Sequence, residues 1–284
     1  MIIDFHTHTY PDKIASLVIR KLTGSITTSA YTKGTITALE ESATKAGIDK
    51  CVVLPVVTNP RQAESINRVA VETNMRNSSL ISFGGIHPDN SDYRRIFSTL
   101  AAEGIKGIKL HPIFQNTYFD DIKYMRLIDC ACEYGFIISV HAGRDVNDRT
   151  LDYVTVPHVK NLLMTVKPNK LILAHMGGHL CWDEAEDMLK DYRSVAPNDA
   201  HLYLDTAFCL PSTVASQNAP DIDYLTNERF KRMVSIMGAD HVLFGTDSPW
   251  TDQAPAIEAI KASGLSKKEI SLILGDNARK LLEL

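Results

Sequence analysis

The chain has no excess of basic residues, no even set of cysteines and no apolar run of membrane-spanning length. Lysine and arginine total 30 against 34 aspartates and glutamates, a formal net charge of −4. Nothing in that balance suggests the basic face or stripe on which nucleic-acid binding rests. The five cysteines, Cys51, Cys130, Cys132, Cys181 and Cys209, are odd in number and scattered mostly through apolar segments. They read as reduced thiols, not as a disulfide framework. Cys130 and Cys132 stand at i, i+2 on a predicted helix and so do not face one another. No charged stretch leading into an apolar one opens the sequence, and no apolar run approaches the roughly 20 residues of a membrane helix. A cytoplasmic protein with neither a membrane nor a nucleic-acid partner is expected. A Gly-rich phosphate loop after the first apolar run is also missing, which argues against an open dinucleotide-binding sheet.

What is present is material for one large core. The 284 residues are 44% hydrophobic, and single α/β barrels commonly run to about 250 residues. Eight apolar, strand-like runs recur: Ile2 to His6, Cys51 to Pro55, Leu80 to Ile86, Gly107 to His111, Phe136 to His141, Lys170 to His175, Leu202 to Asp205 and His241 to Asp247. Each is followed by a segment of helical periodicity. In Thr35 to Ala46, Thr35 or Thr37 supplies the N-cap and Gly47 the C-terminal stop. In the last segment the pattern runs unbroken from Lys267 to Leu282. Strand–helix alternation implies parallel strands with crossover helices. Eight such units predict an α/β fold closed as a (β/α)8 TIM barrel. No linker or composition break appears, so residues 1–284 are read as a single domain.

The ends of these runs carry the chemistry. His6 and His8 lie two residues apart on a strand, so their side chains share a face. Imidazole nitrogen is a good ligand for zinc and similar divalent metals. His141, His175 and Asp247 end the fifth, sixth and eighth runs, and barrel active sites lie at the C-terminal ends of the strands. Taken singly, a strand-end histidine is commonly a hydrogen-bonded structural group, and Asp247 could cap the segment that starts at Pro249. Five metal-capable or proton-carrying groups at one set of strand ends outweigh those readings.

These residues resemble the amidohydrolase superfamily of metal-dependent hydrolases, and within it the branch that includes aminocarboxymuconate-semialdehyde decarboxylase. The resemblance is carried by Asp4-Phe-His-Thr-His8, Gly107-Ile-Lys-Leu-His-Pro112, Ser139-Val-His-Ala142, Leu173-Ala-His-Met-Gly-Gly178 and Leu243-Phe-Gly-Thr-Asp-Ser-Pro249, with Ile273-Leu-Gly-Asp-Asn-Ala278 resembling the closing helix. It spans essentially the whole chain, in the family's order. The resemblance implies that His6, His8, His141 and Asp247 hold one divalent metal, most readily Zn2+, with a water at the open position. Metal binding can bring the pKa of such a water to about 7. Asp247 would then also accept its proton. His175 is implied to stand beside the metal as general base or as the group polarising the substrate, a task suited to an imidazole pKa of about 6.5.

Asp4 shares the face of the histidine pair one layer deeper, where it either hydrogen-bonds behind the ligands or is simply buried in the barrel floor. Lys109 and His111 share a face at the end of the fourth run. In some superfamily members a carboxylated lysine on this strand bridges two metals; the alternative is an interior lysine paired with Asp4, Asp205 or Asp247. His111, Lys109 and Arg144 are candidate substrate contacts, since an arginine there, or less readily Arg149, could hold a carboxylate bidentately. The loop after the first strand and the loop Thr206 to Asn227, with Phe208, Pro211 and Pro220, are candidate lids. Trp182 and Trp250 either line the pocket or cover the rim. Three functions follow: a hydrolase of an amide, lactone or ester-like bond in a small molecule, a metal-dependent decarboxylase of a small unsaturated or aromatic acid, or a non-catalytic ligand binder. The intact set His6, His8, His141, His175 and Asp247 argues against the third. Homodimers are common in the resembled family, but no surface in the sequence predicts an interface.

Overall fold

Strand β1 (Ile3–Thr7) is buried along its whole length and organises the N-terminal part of the chain. The structure is a computed structural model that describes residues 1–23, 29–195, 201–211 and 223–284. The chain divides into two units, Met1–Val53 with Asp205–Leu284, and Leu54–Leu204.

In the first unit β1 pairs in parallel with β2 (Lys50–Val53), Ile3 opposite Lys50 and Asp4 opposite Cys51, and the register shifts between Asp4 and Thr7. The Phe5 N–H also donates to the Phe244 carbonyl at 2.7 Å, just after β9 (Val242–Leu243), and the Asp247 N–H donates to the His6 carbonyl at 2.8 Å. The helices of this unit are α1 (Asp12–Thr23), α2 (Ile36–Ala46), α8 (Asn227–Met237), α9 (Gln253–Lys261), α10 (Lys267–Ser271) and α11 (Asn277–Leu281). Helix α2 begins as its sequence predicts: the Thr35 hydroxyl accepts from the Ala38 N–H, and Gly47 at φ 73° ends it. The single closing helix expected over Lys267 to Leu282 is interrupted by a π-helical turn, Leu272–Asp276. Within that turn the Ile273 carbonyl accepts the Phe244 N–H at 2.9 Å, so the turn serves the strand that leads to Asp247. A Cβ on Gly275 would lie 2.1 Å from the Met1 carbonyl oxygen, so the chain start passes too close for any other residue there.

The second unit alternates strand and helix in order: α3 (Ala63–Arg76), β3 (Leu80–Ser82), β4 (Gly84–Gly85), α4 (Tyr93–Ala102), β5 (Gly107–Leu110), α5 (Ile122–Glu133), β6 (Ile137–Val140), α6 (Val156–Thr165), β7 (Leu171–Leu173), α7 (Trp182–Val195) and β8 (Leu202–Asp205). Strands β4 to β8 pair side by side, all parallel, with Lys109 opposite Ser139 and Ser139 opposite Ile172. Strands β5, β6 and β7 are buried at every position, as parallel strands covered on both faces must be. The third predicted strand is split. Asn74 on α3 brackets Ser82 with two hydrogen bonds, and Asn67 on the same helix brackets Gly85 with two more. Side-chain amides there occupy backbone groups that a continuous ladder would use.

The predicted strands also end early where chemistry is expected. His175 and Met176 leave the strand conformation at φ 57° and 52°, and Asp247 does so at φ 65°. Residues 24–28 of the first candidate lid, Gly24 among them, and 212–222 of the second, including Pro220, lie outside the described residues. Among the described residues no helix is long and apolar enough to cross a membrane.

Candidate metal centre and histidine cluster

His6 in β1 and His8 just past its end stand two residues apart and turn to the same side, and the ring atoms converge. His6 Nε2 and His8 Nε2 are 3.2 Å apart. Asp247 Oδ1 lies 3.4 Å from the first and 3.0 Å from the second. Ligands held about 2.0–2.1 Å from a tetrahedral zinc stand about 3.3–3.4 Å from one another. The triangle therefore fits three corners of such a site, and two imidazole nitrogens with one carboxylate oxygen suit a divalent cation. His6 is fully buried, while the side chains of His8 and Asp247 keep 12% and 16% of their exposure, so the centre opens on the His8–Asp247 side.

Behind the triangle, two carboxylates fix the parts. Asp205 Oδ2 lies 2.9 Å from His6 Nδ1. Asp4 is fully buried and accepts from the His6 N–H, the Thr246 N–H, the Thr246 hydroxyl and Gln253 Nε2. Burial pushes the Asp4 carboxyl up to about 6, with the hydrogen bonds from Thr246, Gln253 and His6 pulling the other way. One side chain thus ties the strand bearing His6 to the segment bearing Asp247. Gly245 is required by space: a Cβ there would lie 2.8 Å from His6 Cβ. Burial, then the charges of Asp205 and Asp247, push the Cys209 thiol well above its ordinary value. Cys209 is therefore a protonated wall residue here.

The second unit holds a cluster of its own. His141 Nδ1 lies 3.0 Å from His175 Nε2, and the His141 ring stacks on His111 with centroids 4.3 Å apart. His111 stacks in turn on Phe114, and His175 lies beside His179 at 5.4 Å between centroids. Burial pushes His141 well below the ordinary imidazole value, and His111, His175, Lys109 and His179 add to that; it is a neutral ring near pH 7. Donor atoms of His111, His141 and Asp145 come within 4.8 Å of one another. Backbone geometry builds this cluster. A Cβ on Gly143, at φ 94°, would lie 2.2 Å from His179 N, and the His179 N–H donates to Ala142 O while Arg144 N–H donates to His179 O. The exits of β6 and β7 are thereby pressed together. The Trp182 indole N–H donates to the His175 carbonyl, steadying a residue held at positive φ.

Of the residues singled out in the sequence, His6, His8 and Asp247 meet in the first unit. His141, His175, His111 and the buried Lys109 belong to the second. Arg144 Nη1 donates to the Arg149 carbonyl at 2.8 Å, and Arg149 itself is exposed. Trp182 is buried against the His175 turn, and the Trp250 N–H closes a turn onto the Asp247 carbonyl. Sequence reasoning did not assign Asp205 to His6, and missed His179, Thr246 and Gln253. An aspartate ending the seventh run was the available signal for Asp205, and Gly177-Gly178 just ahead of a histidine was the signal for His179; Thr246 and Gln253 carried none.

No curated protein sequence matches the chain, but solved structures do. A 2,6-dihydroxybenzoate decarboxylase from Rhizobium superposes with a TM-score of 0.71 at 15% identity, over 99% of this chain and 98% of that one. An uncharacterised TIM-barrel protein from Bordetella bronchiseptica does so with the same score, identity and coverage. A candidate 2-pyrone-4,6-dicarboxylic acid hydrolase from Pseudomonas putida gives 0.67 at 15% identity, over 99% and 97%. These likenesses show the fold class that the strand count predicted, the TIM barrel. The amidohydrolase sequence model matches residues 3–284, and the protein is accordingly an enzyme of the amidohydrolase family.

Proposed function

We propose that the protein is a metal-dependent hydrolase of a small molecule, cleaving an amide, lactone or ester-like bond. His6, His8 and Asp247 hold one divalent cation, for which zinc is the proposed ion. The observation that carries this reading is the triangle of His6 Nε2, His8 Nε2 and Asp247 Oδ1, 3.0–3.4 Å on each edge. The cation, when bound, supplies Lewis-acid polarisation of a substrate carbonyl and eases ionisation of water.

The chain's own residues supply the rest. Asp247, partly exposed and held at φ 65°, accepts the proton of the attacking water. His175 is the proposed proton-transfer group, its Nε2 within hydrogen-bond reach of His141 Nδ1 at 3.0 Å. Such general acid–base help is worth about 10²–10⁴ in rate. Lys109, His111 and Arg144 are the groups proposed to meet an acidic part of the substrate.

A second reading is favoured by the likeness to the 2,6-dihydroxybenzoate decarboxylase. In it the carbon–carboxylate bond of a small acid breaks, carbon dioxide leaves, and the electron pair left on carbon takes a proton from His175. Lactones, amides and hydroxybenzoates incubated with zinc-loaded or manganese-loaded protein separate the two. Acid release without carbon dioxide supports hydrolysis, carbon dioxide release moves the assignment to the lyase, and a protein that retains no metal sinks both.

A further inference from the structure

We propose that Asp205 is a positioning residue that fixes His6 as the Nδ1–H tautomer and so makes Nε2 its metal-donating nitrogen. The inference rests on the metal-centre reading above. Asp205 and His6 are both fully buried, with Oδ2 2.9 Å from Nδ1. The geometry aims Nδ1 at a carboxylate oxygen. A carboxylate that is ionised, as we take Asp205 to be, only accepts hydrogen bonds and so leaves the hydrogen on Nδ1. A neutral imidazole has one protonated nitrogen, which leaves the lone pair on Nε2. Nε2 is the atom that faces His8 Nε2 and Asp247 Oδ1.

The carboxylate is itself held, because Oδ1 of Asp205 accepts the Ala207 N–H at 3.1 Å. The root of the side chain is crowded as well, since Gly245 approaches His6 so closely that a Cβ would come within 2.8 Å of His6 Cβ. Orientation and tautomer are thus both set before a cation arrives. Asp205 also brings a second negative charge. With Asp247 it balances a dication held by two neutral imidazoles, at a place where His6 has no exposure to solvent. Carboxylate partners of ligating histidines raise ligand basicity, and losing one typically costs 10–100-fold in metal affinity.

The test uses the full-length protein stripped of metal. Nitrogen NMR shifts of the His6 ring report the tautomer in the wild type, and competition against a chromogenic chelator gives the zinc dissociation constant for wild type, Asp205→Asn and His8→Ala. We expect a protonated Nδ1 and an unprotonated Nε2 in the wild type. Asp205→Asn, whose amide can both donate and accept, is expected to lose that tautomer preference and raise the zinc dissociation constant about 10–100-fold. His8→Ala is expected to weaken zinc binding while leaving the His6 tautomer unchanged. A wild-type His6 protonated at Nε2 overturns the proposal, and so does an unchanged zinc constant in Asp205→Asn. A wild type that binds no zinc sinks the metal-centre reading itself, a result distinct from either. If Asp205→Asn does not fold, the wild-type tautomer decides alone.

Discussion

Asp247 and His6 meet twice: the Asp247 N–H donates to the His6 carbonyl at 2.8 Å, and Asp247 Oδ1 stands 3.4 Å from His6 Nε2. The backbone bond sets the strand end, and the side-chain approach uses it. Asp247 reaches this position only by taking φ 65°, a conformation costly for a residue with a Cβ and commonest at functional sites.

The first prediction concerns metal content. Protein purified with zinc present is expected to hold one divalent cation per chain, and His6→Ala combined with His8→Ala to remove it. Elemental analysis of both proteins checks this; equal metal in the double variant would rule out the triangle as the site.

The second separates proton carrier from ligand. His175→Asn is expected to keep the cation and lose about 10²–10⁴ in turnover. Asp247→Ala should lose turnover and hold metal more weakly, because it removes the only carboxylate of the triangle. Metal content and rate measured side by side decide; an emptied site in His175→Asn with both properties intact in Asp247→Ala inverts the roles.

Gly245→Ala tests packing at the centre. The added methyl would stand 2.8 Å from His6 Cβ, whereas carbon atoms pack at about 3.5–4.0 Å. Overpacking of this kind costs about 1–3 kcal/mol, so chemical denaturation should show a loss of that order, together with weaker zinc binding. A variant as stable as wild type would mean that His6 moves aside freely.

The fourth prediction concerns pH. His87 Nδ1 accepts the Asp89 N–H at 3.1 Å, a role open only to an unprotonated nitrogen. Burial pushes the His87 pKa below 6.5, with Asp89 opposing the shift and Lys123 adding to it. A depressed folded pKa gives stability that is present above the unfolded value and lost as pH falls through the folded one. Wild-type thermal stability should therefore drop below about pH 6.5, and His87→Asn, which offers an acceptor oxygen that does not titrate, should drop less. Parallel unfolding curves for the two proteins across that window would exclude His87 as a contributor.

The sequence by itself determined the elements and the faces. Alternation along Ile2 to His8 puts two imidazoles on one side, because side chains on a strand repeat every two residues whatever lies beyond it. The cap at Thr35 and the stop at Gly47 are likewise local, each a matter of a few dihedrals, and both stand as the residues predict. Eight strand–helix units were legible for the same reason, and with them the TIM-barrel class.

Tertiary structure decided the partners. Asp205 is 199 residues from His6, and Thr246 is 242 residues from Asp4. Periodicity says which way a side chain points, not which distant segment arrives opposite it. The split of the third strand and the π turn in the closing helix were hidden for a related cause: at each, a group outside the element, an α3 amide or the Phe244 N–H, bonds to its backbone. The left-handed turns at His175 and Asp247 could not be read either, since His and Asp enter that region more often than most residues but still in a small minority of cases. They are held by contacts from elsewhere in the chain, the Trp182 indole on the His175 carbonyl and the His6 carbonyl on the Asp247 N–H.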